Sequence, residues 1–212
     1  NGFQIRLPRK TKSVFVIKNN VINEVTPEGV YYNVLTLKNV AISWDVSPDG
    51  SELVVAWAES GGPSQVYRYQ RSSNKWSLVS DINVGGIYPS YSPDGKKVVY
   101  CSSRKLWIAD LKSGVIKKLV DDGLPKEVPD WSSDGRHIVY QAAPDAKDAK
   151  YDIWVVDART GKTKQLTAWP GLDCNPCFDA TGKKILYITQ SIDTPLRHFA
   201  VIDVNGKLLD VL

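Results

Sequence analysis

Short apolar runs separated by Gly, Pro, Asp and Ser recur along the chain from residue 41 to residue 212. Runs of this length between turn residues are typical of β-strands. The runs Val98–Tyr100 and Ile185–Tyr187 contain no charged position, which indicates strands buried on both faces between neighbouring sheets. The pattern therefore predicts an all-β fold with almost no helix.

The turn residues themselves repeat. The tetrapeptide Ser47–Gly50 recurs as Ser92–Gly95 and, with changes, as Ser132–Gly135 and Asp179–Gly182. Successive glycines are 45, 40 and 47 residues apart, a period typical of the blades of a β-propeller. A proline also recurs six residues before three of these glycines, as Pro89, Pro129 and Pro176. Matches at several fixed offsets indicate true internal repeats.

Each repeat divides into four predicted strands, in one case Ile87–Ser92, Lys97–Ser102, Leu106–Leu111 and Val115–Val120. The sequence between the first two strands suits a type I turn that ends in a glycine at positive φ. An aspartate in such a turn usually binds its own backbone rather than a metal ion. We assign a structural role to the turn residues Asp49, Gly50, Asp94, Gly95, Asp134, Gly135 and Gly182.

The repeats predict a β-propeller of four-stranded antiparallel blades that forms a single domain over residues 1–212. Four complete blades are expected at 41–84, 85–124, 125–170 and 171–212. Residues 1–40 should form a partial N-terminal blade and closure segment, with its last two strands at Ser13–Asn19 and Val21–Thr26 and with Gln4–Leu7 as a candidate partner. A five-bladed ring fits this tally, and an open fragment of a six- or seven-bladed propeller is the alternative.

Two segments carry a resemblance to a known family. Residues 129–140 and the run from Asp152 through Asp157 to Thr167 resemble the repeats of TolB-like β-propellers, and the resemblance covers about residues 41–212. The last two repeats lack the turn proline, and Thr181 replaces the turn aspartate of the final one. The resemblance implies a non-catalytic scaffold that binds protein partners in the bacterial cell envelope, in the periplasm or otherwise exported.

Charge and hydropathy limit the classes of partner that the chain is expected to bind. The formal net charge is +4 and the basic residues are scattered, so we expect no nucleic-acid partner. No apolar run approaches the ~20 residues of a membrane span, so we expect no membrane insertion. The chain starts at Asn1 and contains no Met, which indicates a processed or excised segment and leaves room for a removed leader.

Few residues suit catalysis or metal binding. The only histidines are His137 and His198, and the G-x-S-x-G motif of a nucleophile elbow is missing. The three cysteines are Cys101, Cys174 and Cys177, an odd number that argues against a disulfide framework. The C-x-x-C pair lies in a strand-like segment with no second pair and no nearby histidine, whereas zinc normally takes four such ligands. We expect no enzymatic activity, no cofactor and no bound metal.

The loops indicate where a partner binds. In a four-stranded blade the second turn and the link to the next blade lie on one face of the ring, and the first and third turns lie on the other. The second turns Ala58–Ser64, Ala142–Ala149 and Ser191–Arg197 are longer than closure requires, and long loops often carry function. We predict a partner-binding surface on this face, with Trp169 as its best single contact. The predicted contact residues are Tyr88, Glu127, Asp145, Trp169, Asp173 and Arg197.

Two other functions stay open at this stage. The chain could be the substrate-filtering propeller domain of a prolyl-oligopeptidase-like peptidase, which a hydrolase domain elsewhere in the parent gene would reveal. It could also be a small carbohydrate- or peptide-processing enzyme with a site in the central channel. That function predicts ionisable groups with perturbed pKa values around the axis.

Overall fold

The computed structural model describes residues 4–59, 62–143, 150–193 and 195–212. These ranges contain twenty β-strands, arranged in five four-stranded antiparallel sheets, and no helix. The predicted all-β architecture of four-stranded antiparallel blades is confirmed, and the fifth, N-terminal sheet is complete where a partial blade was expected.

Each sheet contains four strands that are consecutive in the chain. The first sheet contains β1 (Gln4–Arg6), β2 (Val14–Lys18), β3 (Val21–Val25) and β4 (Tyr31–Thr36). The second contains β5 (Ser43–Val46), β6 (Glu52–Ala58), β7 (Ser64–Gln70) and β8 (Lys75–Leu78). The third contains β9 (Ile87–Tyr91), β10 (Lys97–Ser102), β11 (Lys105–Asp110) and β12 (Ile116–Val120). The fourth contains β13 (Lys126–Trp131), β14 (His137–Ala142), β15 (Asp152–Asp157) and β16 (Thr163–Gln165). The fifth contains β17 (Gly171–Phe178), β18 (Lys184–Ser191), β19 (Arg197–Asp203) and β20 (Leu208–Val211).

The N-terminal segment contains one strand more than the sequence indicated. Strand β4 pairs with β3 and completes a four-stranded sheet where a partial blade was expected. The expectation that β2 and β3 are the last two strands of this blade was therefore wrong, because they are its second and third strands. None of the six residues of β4 is buried. An exposed edge strand has no buried apolar run to reveal it, which explains why the hydrophobic pattern missed it.

The turns between the first and second strands form a repeated hydrogen-bonded unit. Gly50, Gly95 and Gly135 have φ of 74°, 74° and 70°, so the predicted positive φ is confirmed. The Ser47 hydroxyl donates to Asp49 Oδ1 at 2.7 Å and accepts the Glu52 N–H at 2.9 Å. The next two turns repeat the serine–aspartate bond, through Ser92 with Asp94 and Ser132 with Asp134.

The turn of the fifth sheet contains the same groups in exchanged positions. Asp179 stands where the other turns have serine, and Thr181 stands where they have aspartate. The Thr181 hydroxyl donates to Asp179 at 2.7 Å, and Asp179 Oδ1 accepts the Lys184 N–H at 3.0 Å. Gly182 keeps a φ of 71°. The turn therefore keeps its hydrogen bonds although the sequence departs from the repeat.

Adjacent sheets are joined by the same contact in two places. Asp45 of β5 accepts the N–H of Tyr91 in β9 at 2.8 Å, and Asp130 of β13 accepts the N–H of Phe178 in β17 at 2.8 Å. Each bond satisfies a backbone donor on the first strand of the following sheet. The sheets are thereby held by polar contacts as well as by apolar packing.

The chain divides into two compact units. The first comprises Asn1–Tyr100 with Ala109–Ile116, and the second comprises Cys101–Ile108 with Lys117–Leu212, so residues of the third sheet are shared between them. In the first unit, buried side chains of the first and second sheets form one core cluster that includes Phe15, Ile22, Trp44, Leu53 and Val55. In the second unit, a core cluster joins the fourth and fifth sheets and includes Val139, Ile153, Ile185, Tyr187 and Ile202.

Candidate functional site

Each sheet has two chemically different ends. The first and third turns leave a sheet at one end, which we call its turn end. The second turn and the links to neighbouring sheets leave it at the opposite end, which we call its link end. The predicted contact residues belong to the link ends, so the geometry of these ends decides what each residue can do.

Trp169 lies on the link between β16 and β17 and is 59% exposed. The link is held just before it, because Thr167 Oγ1 accepts the Ile153 N–H at 2.9 Å and the Leu166 N–H donates to Ile153 O at 2.8 Å. Just after it, Gly171 lies so close to the Gln190 carbonyl that no Cβ would fit. Trp169 therefore projects into solvent from a short segment that is fixed on both sides.

Glu127 is half-buried, and both of its carboxylate oxygens accept a hydrogen bond from a neighbouring side chain. Oε1 accepts the Tyr151 hydroxyl at 3.0 Å, and Oε2 accepts Gln141 Nε2 at 3.0 Å. The other side-chain atom of Gln141, Oε1, accepts the Asn175 N–H at 2.7 Å. Glu127 thus orders the link end of the fourth sheet and its contact with the fifth.

Asp173 is buried, which does not fit the surface contact predicted for it. Only 1% of the residue is exposed, and neither carboxylate oxygen accepts a hydrogen bond of standard geometry from any described residue. Its backbone N–H donates to Tyr151 O at 2.8 Å. Because Tyr151 also binds Glu127, these two predicted residues are brought together through one tyrosine.

Asp173 forms a buried carboxyl pair with Asp152, a residue that the sequence analysis did not single out. Asp152 opens β15 and accepts Gln165 Nε2 at 2.9 Å. Burial and the neighbouring Asp173 raise the pKa of Asp152 to about 6. Burial also raises the pKa of Asp173, although Thr167 and Thr189 lie close enough to offset part of the rise. The sequence feature that could have identified Asp152 is an acidic residue at the start of an otherwise apolar strand.

Tyr88 occupies an unusual backbone conformation that recurs. Its φ is 52°, and Val128 and Asn175 have φ of 50° and 53°; each directly precedes one of the repeated prolines. Positive φ is uncommon for residues other than glycine. The Tyr88 N–H donates to Ser43 Oγ at 2.8 Å, a bond that holds this conformation.

Of the two remaining predicted contact residues, the structure describes Arg197 but not Asp145. Arg197 is exposed at the start of β19, and its Nε donates to Gln190 Oε1 at 3.1 Å. Asp145 lies outside the described residues. The link ends of the second unit therefore present Trp169 and Arg197 to solvent, whereas Glu127 and Asp173 lie in the supporting network.

The arrangement around His198 does not match a hydrolytic triad. The register of the fifth sheet places Thr189 opposite Asp173 and also opposite His198. A triad requires the histidine between the carboxylate and the hydroxyl, whereas Thr189 occupies the middle position of this row. The carboxylate of Asp173 is therefore not placed to position His198 as a general base.

The cysteines and the acidic residues carry the side chains best suited to bind a metal ion. Cys101 and Cys174 are buried, Cys177 is exposed, and all three are free thiols. A register shift separates Cys174 from Cys177 in β17. Across the ranges that the structure describes, no three His, Cys, Asp or Glu side chains group as metal ligands would. The same ranges contain no helix with the length and hydropathy needed to cross a membrane.

Comparison with known proteins finds similarity to TolB proteins and to propeller-containing peptidases. No protein-family model matches the chain. It is 25% identical over 170 residues to an uncharacterized protein of Agrobacterium fabrum, a match that covers 78% of this chain and 56% of that protein. It is 26% identical over 113 residues to the Tol-Pal system protein TolB of Wolinella succinogenes, covering 51% of this chain and 26% of TolB.

A peptidase is also among the sequence relatives. The chain is 28% identical over 145 residues to dipeptidyl-peptidase 5 of Porphyromonas gingivalis, a match that covers 59% of this chain and 20% of the peptidase. The chain thus spans about half of the first relative and about a quarter or less of the other two.

Solved structures share the fold. A TolB-like structure from Agrobacterium tumefaciens superimposes with a TM-score of 0.83 at 20% identity, over 99% of this chain and 80% of that one. TolB from Acinetobacter baumannii gives a TM-score of 0.81 at 20% identity, over 98% and 53%. Dipeptidyl peptidase 4 of Porphyromonas gingivalis gives 0.65 at 13% identity, over 98% and 39%. The chain has a β-propeller fold, and its resemblance to TolB-like repeats is confirmed.

Proposed function

We propose that this chain is a non-catalytic scaffold that binds a protein or peptide partner in the bacterial cell envelope. The similarity to TolB proteins of the Tol-Pal system supports a protein partner. The TolB-like repeats also support a periplasmic or otherwise exported location. Fold similarity alone does not define a function, so the proposal rests on the surface as well.

The observation that carries the proposal is the exposure of Trp169 on a link fixed on both sides. Aromatic side chains that are held rigidly dominate the energy of many protein interfaces, because little entropy is lost when they bind. Arg197 adds an exposed cation of the same unit. Tyr88, Glu127 and Asp145 complete the proposed set, with Glu127 acting through the loops that it orders.

A second candidate is the propeller domain of a longer peptidase, where it would filter substrates. The matches to dipeptidyl-peptidase 5 and dipeptidyl peptidase 4 favour this candidate. The two functions differ in what the propeller contacts: a stable partner in the first, and transient substrates together with a hydrolase domain in the second.

Affinity purification tests the proposal. The purified chain, immobilised, should retain a protein from bacterial envelope extract, and retention should fall in the Trp169→Ala variant at unchanged melting temperature. The purified chain should show no turnover of dipeptidyl, ester or glycoside substrates. Failure to retain any protein, or turnover abolished by His198→Ala, would contradict the proposal.

A further inference from the structure

A groove of about 290 Å³ opens between the first and second sheets of the first unit. Its walls come from the end of β4 and the following link, from the end of β6 with the start of its second turn, and from β8. The lining residues include Leu35, Leu37, Lys38, Trp57, Glu59 and Trp76. The link wall is fixed, because the Leu37 N–H donates to Asn20 O at 2.8 Å and the Ile42 N–H donates to Ala56 O at 2.8 Å.

The aromatic rings of this groove are packed against one another. Trp57 stacks on Tyr67 with centroids 4.2 Å apart, and Trp76 meets Trp57 edge-on at 4.9 Å. Tyr69 supports Trp76 from the other side at 5.0 Å. This mutual packing fixes the rings, and the stacking on Tyr67 covers one face of Trp57, which leaves less flat ring surface to stack on a sugar or a nucleobase. The groove is lined by two indole rings and two leucine side chains, a lining suited to an apolar side chain.

The size of the groove also favours a single side chain as its occupant. Pockets for whole small-molecule ligands usually enclose ~300–1,000 Å³, and this groove lies at the lower limit of that range. It is also open along one side, because Trp76 is 40% exposed. A single large side chain on a longer molecule fits such a space better than a free ligand that must be enclosed.

Two opposite charges flank the apolar lining. Lys38 lies on the link and Glu59 at the second turn, and both are exposed. Neither forms a salt bridge with another residue in the described ranges. A polyanion would be repelled by Glu59 and a polycation by Lys38, so the rim complements a segment that carries one charge of each sign.

We propose that this groove is a peptide-recognition site that accepts one large apolar side chain, phenylalanine, tryptophan or leucine, from a partner segment. An acidic residue on one side of that anchor pairs with Lys38, and a basic residue on the other side pairs with Glu59. The inference rests on the proposed binding function and assigns part of it to a defined site. It adds residues that the sequence analysis did not select, since Trp57 and Trp76 belong to strands.

Labelled pentapeptides test the site directly. The probes are fluorescein-labelled peptides with a central phenylalanine flanked by glutamate and lysine in either order, and the same peptides with a central alanine. Fluorescence anisotropy should show tighter binding of the phenylalanine peptides and a preference for one flank order. Trp76→Ala should weaken that binding about tenfold, and the matched variant Leu209→Ala, an exposed apolar residue on the fourth strand of another sheet, should not change it.

A double variant that exchanges the two charges, Lys38→Glu with Glu59→Lys, should reverse the preferred flank order. Both residues are exposed, so this variant still tests the site if Trp76→Ala lowers the melting temperature. Equal binding of phenylalanine and alanine peptides, or an unchanged flank preference after the exchange, would overturn the site. Saturable binding of cello-oligosaccharides without peptide binding would also overturn it, in favour of a carbohydrate site. If the envelope partner is still retained through Trp169 while the groove variants change nothing, only the groove fails; if nothing is retained, the proposed function fails.

Discussion

The aspartates at the two ends of the sheets have opposite electrostatic environments. At the turn end of the second sheet, hydrogen bonds from Ser47 and Ser51 lower the pKa of Asp49 to about 2. At the link end of the fourth sheet, burial and Asp173 raise the pKa of Asp152 to about 6. The donors of Asp49 lie within two residues of it in the chain, whereas Asp152 meets an acid from another sheet.

This contrast leads us to propose different roles for the polar groups at the two ends. The turn ends consist of short units whose hydroxyls, carboxylates and N–H groups bind one another, so few polar groups remain for a ligand. The link ends contain the buried Asp173, whose carboxylate oxygens accept no standard hydrogen bond from a described residue, and the exposed Trp169. Features of this kind cost stability unless they serve the fold or a partner, which is why we assign binding to the link ends.

The largest predicted effect concerns the turn end. Gly182→Val places a Cβ 2.7 Å from Ser133 Oγ and 3.0 Å from Ser133 N, at a φ of 71°. Steric overlap and backbone strain should together lower the free energy of unfolding by about 3 kcal/mol, measured by chemical denaturation. Gly95→Val is the matched variant, because it has the same strain but its Cβ would lie 3.5 Å from Pro48; it should lose about half as much. An unchanged stability for both would refute the turn geometry.

The next effect is pH-dependent and tests the link end. Because the pKa of Asp152 is raised in the folded state, its stabilising contribution is complete below the unfolded value near 3.8 and is lost as pH rises through about 6. Asp152→Asn keeps an acceptor for Gln165 and removes the charge. It should raise the free energy of unfolding at pH 8 by about 2 kcal/mol and leave it nearly unchanged at pH 4.

Asp49→Asn is the control at the turn end, and its effect should have the opposite sign. The lowered pKa of Asp49 contributes stability above the unfolded value near 3.8 that is lost as pH falls toward about 2. The variant should therefore be less stable than the parent chain at pH 8. If both substitutions shift stability in the same direction at pH 8, the contrast between the two ends is wrong.

The smallest effect tests the exchanged turn of the fifth sheet. Thr181→Asp places a second carboxylate where the Thr181 hydroxyl now donates to Asp179. Repulsion between two charges at an exposed site should cost about 1 kcal/mol. The double variant D179S with T181D restores the order found in the other turns and should recover the original melting temperature. A double variant no more stable than the single one would show that the two positions are not equivalent.

The sequence was sufficient to predict the parts of the molecule in which the interacting residues are close together in the chain. Gly50 and Asp94 could be assigned because a turn is specified by neighbouring residues and recurs with the repeat. Strand β4 was missed because an exposed edge leaves no hydrophobic signal. Asp173 was expected on the surface because it was placed on a long link between blades, yet its neighbours Asp152 and Thr189 come from strands that only the fold brings together. The exchange of Asp179 and Thr181 was invisible because each departs from the repeat when taken alone.

Binding measurements on one purified partner test the central claim, that the link ends bind and the turn ends do not. The partner retained from envelope extract is titrated against the parent chain, Trp169→Ala and Lys112→Glu, where Lys112 lies in an exposed third turn at a turn end. Loss of the aromatic anchor should weaken binding about tenfold at unchanged stability, and Lys112→Glu should leave affinity nearly the same. A partner whose binding is damaged by Lys112→Glu and not by Trp169→Ala would contradict the account.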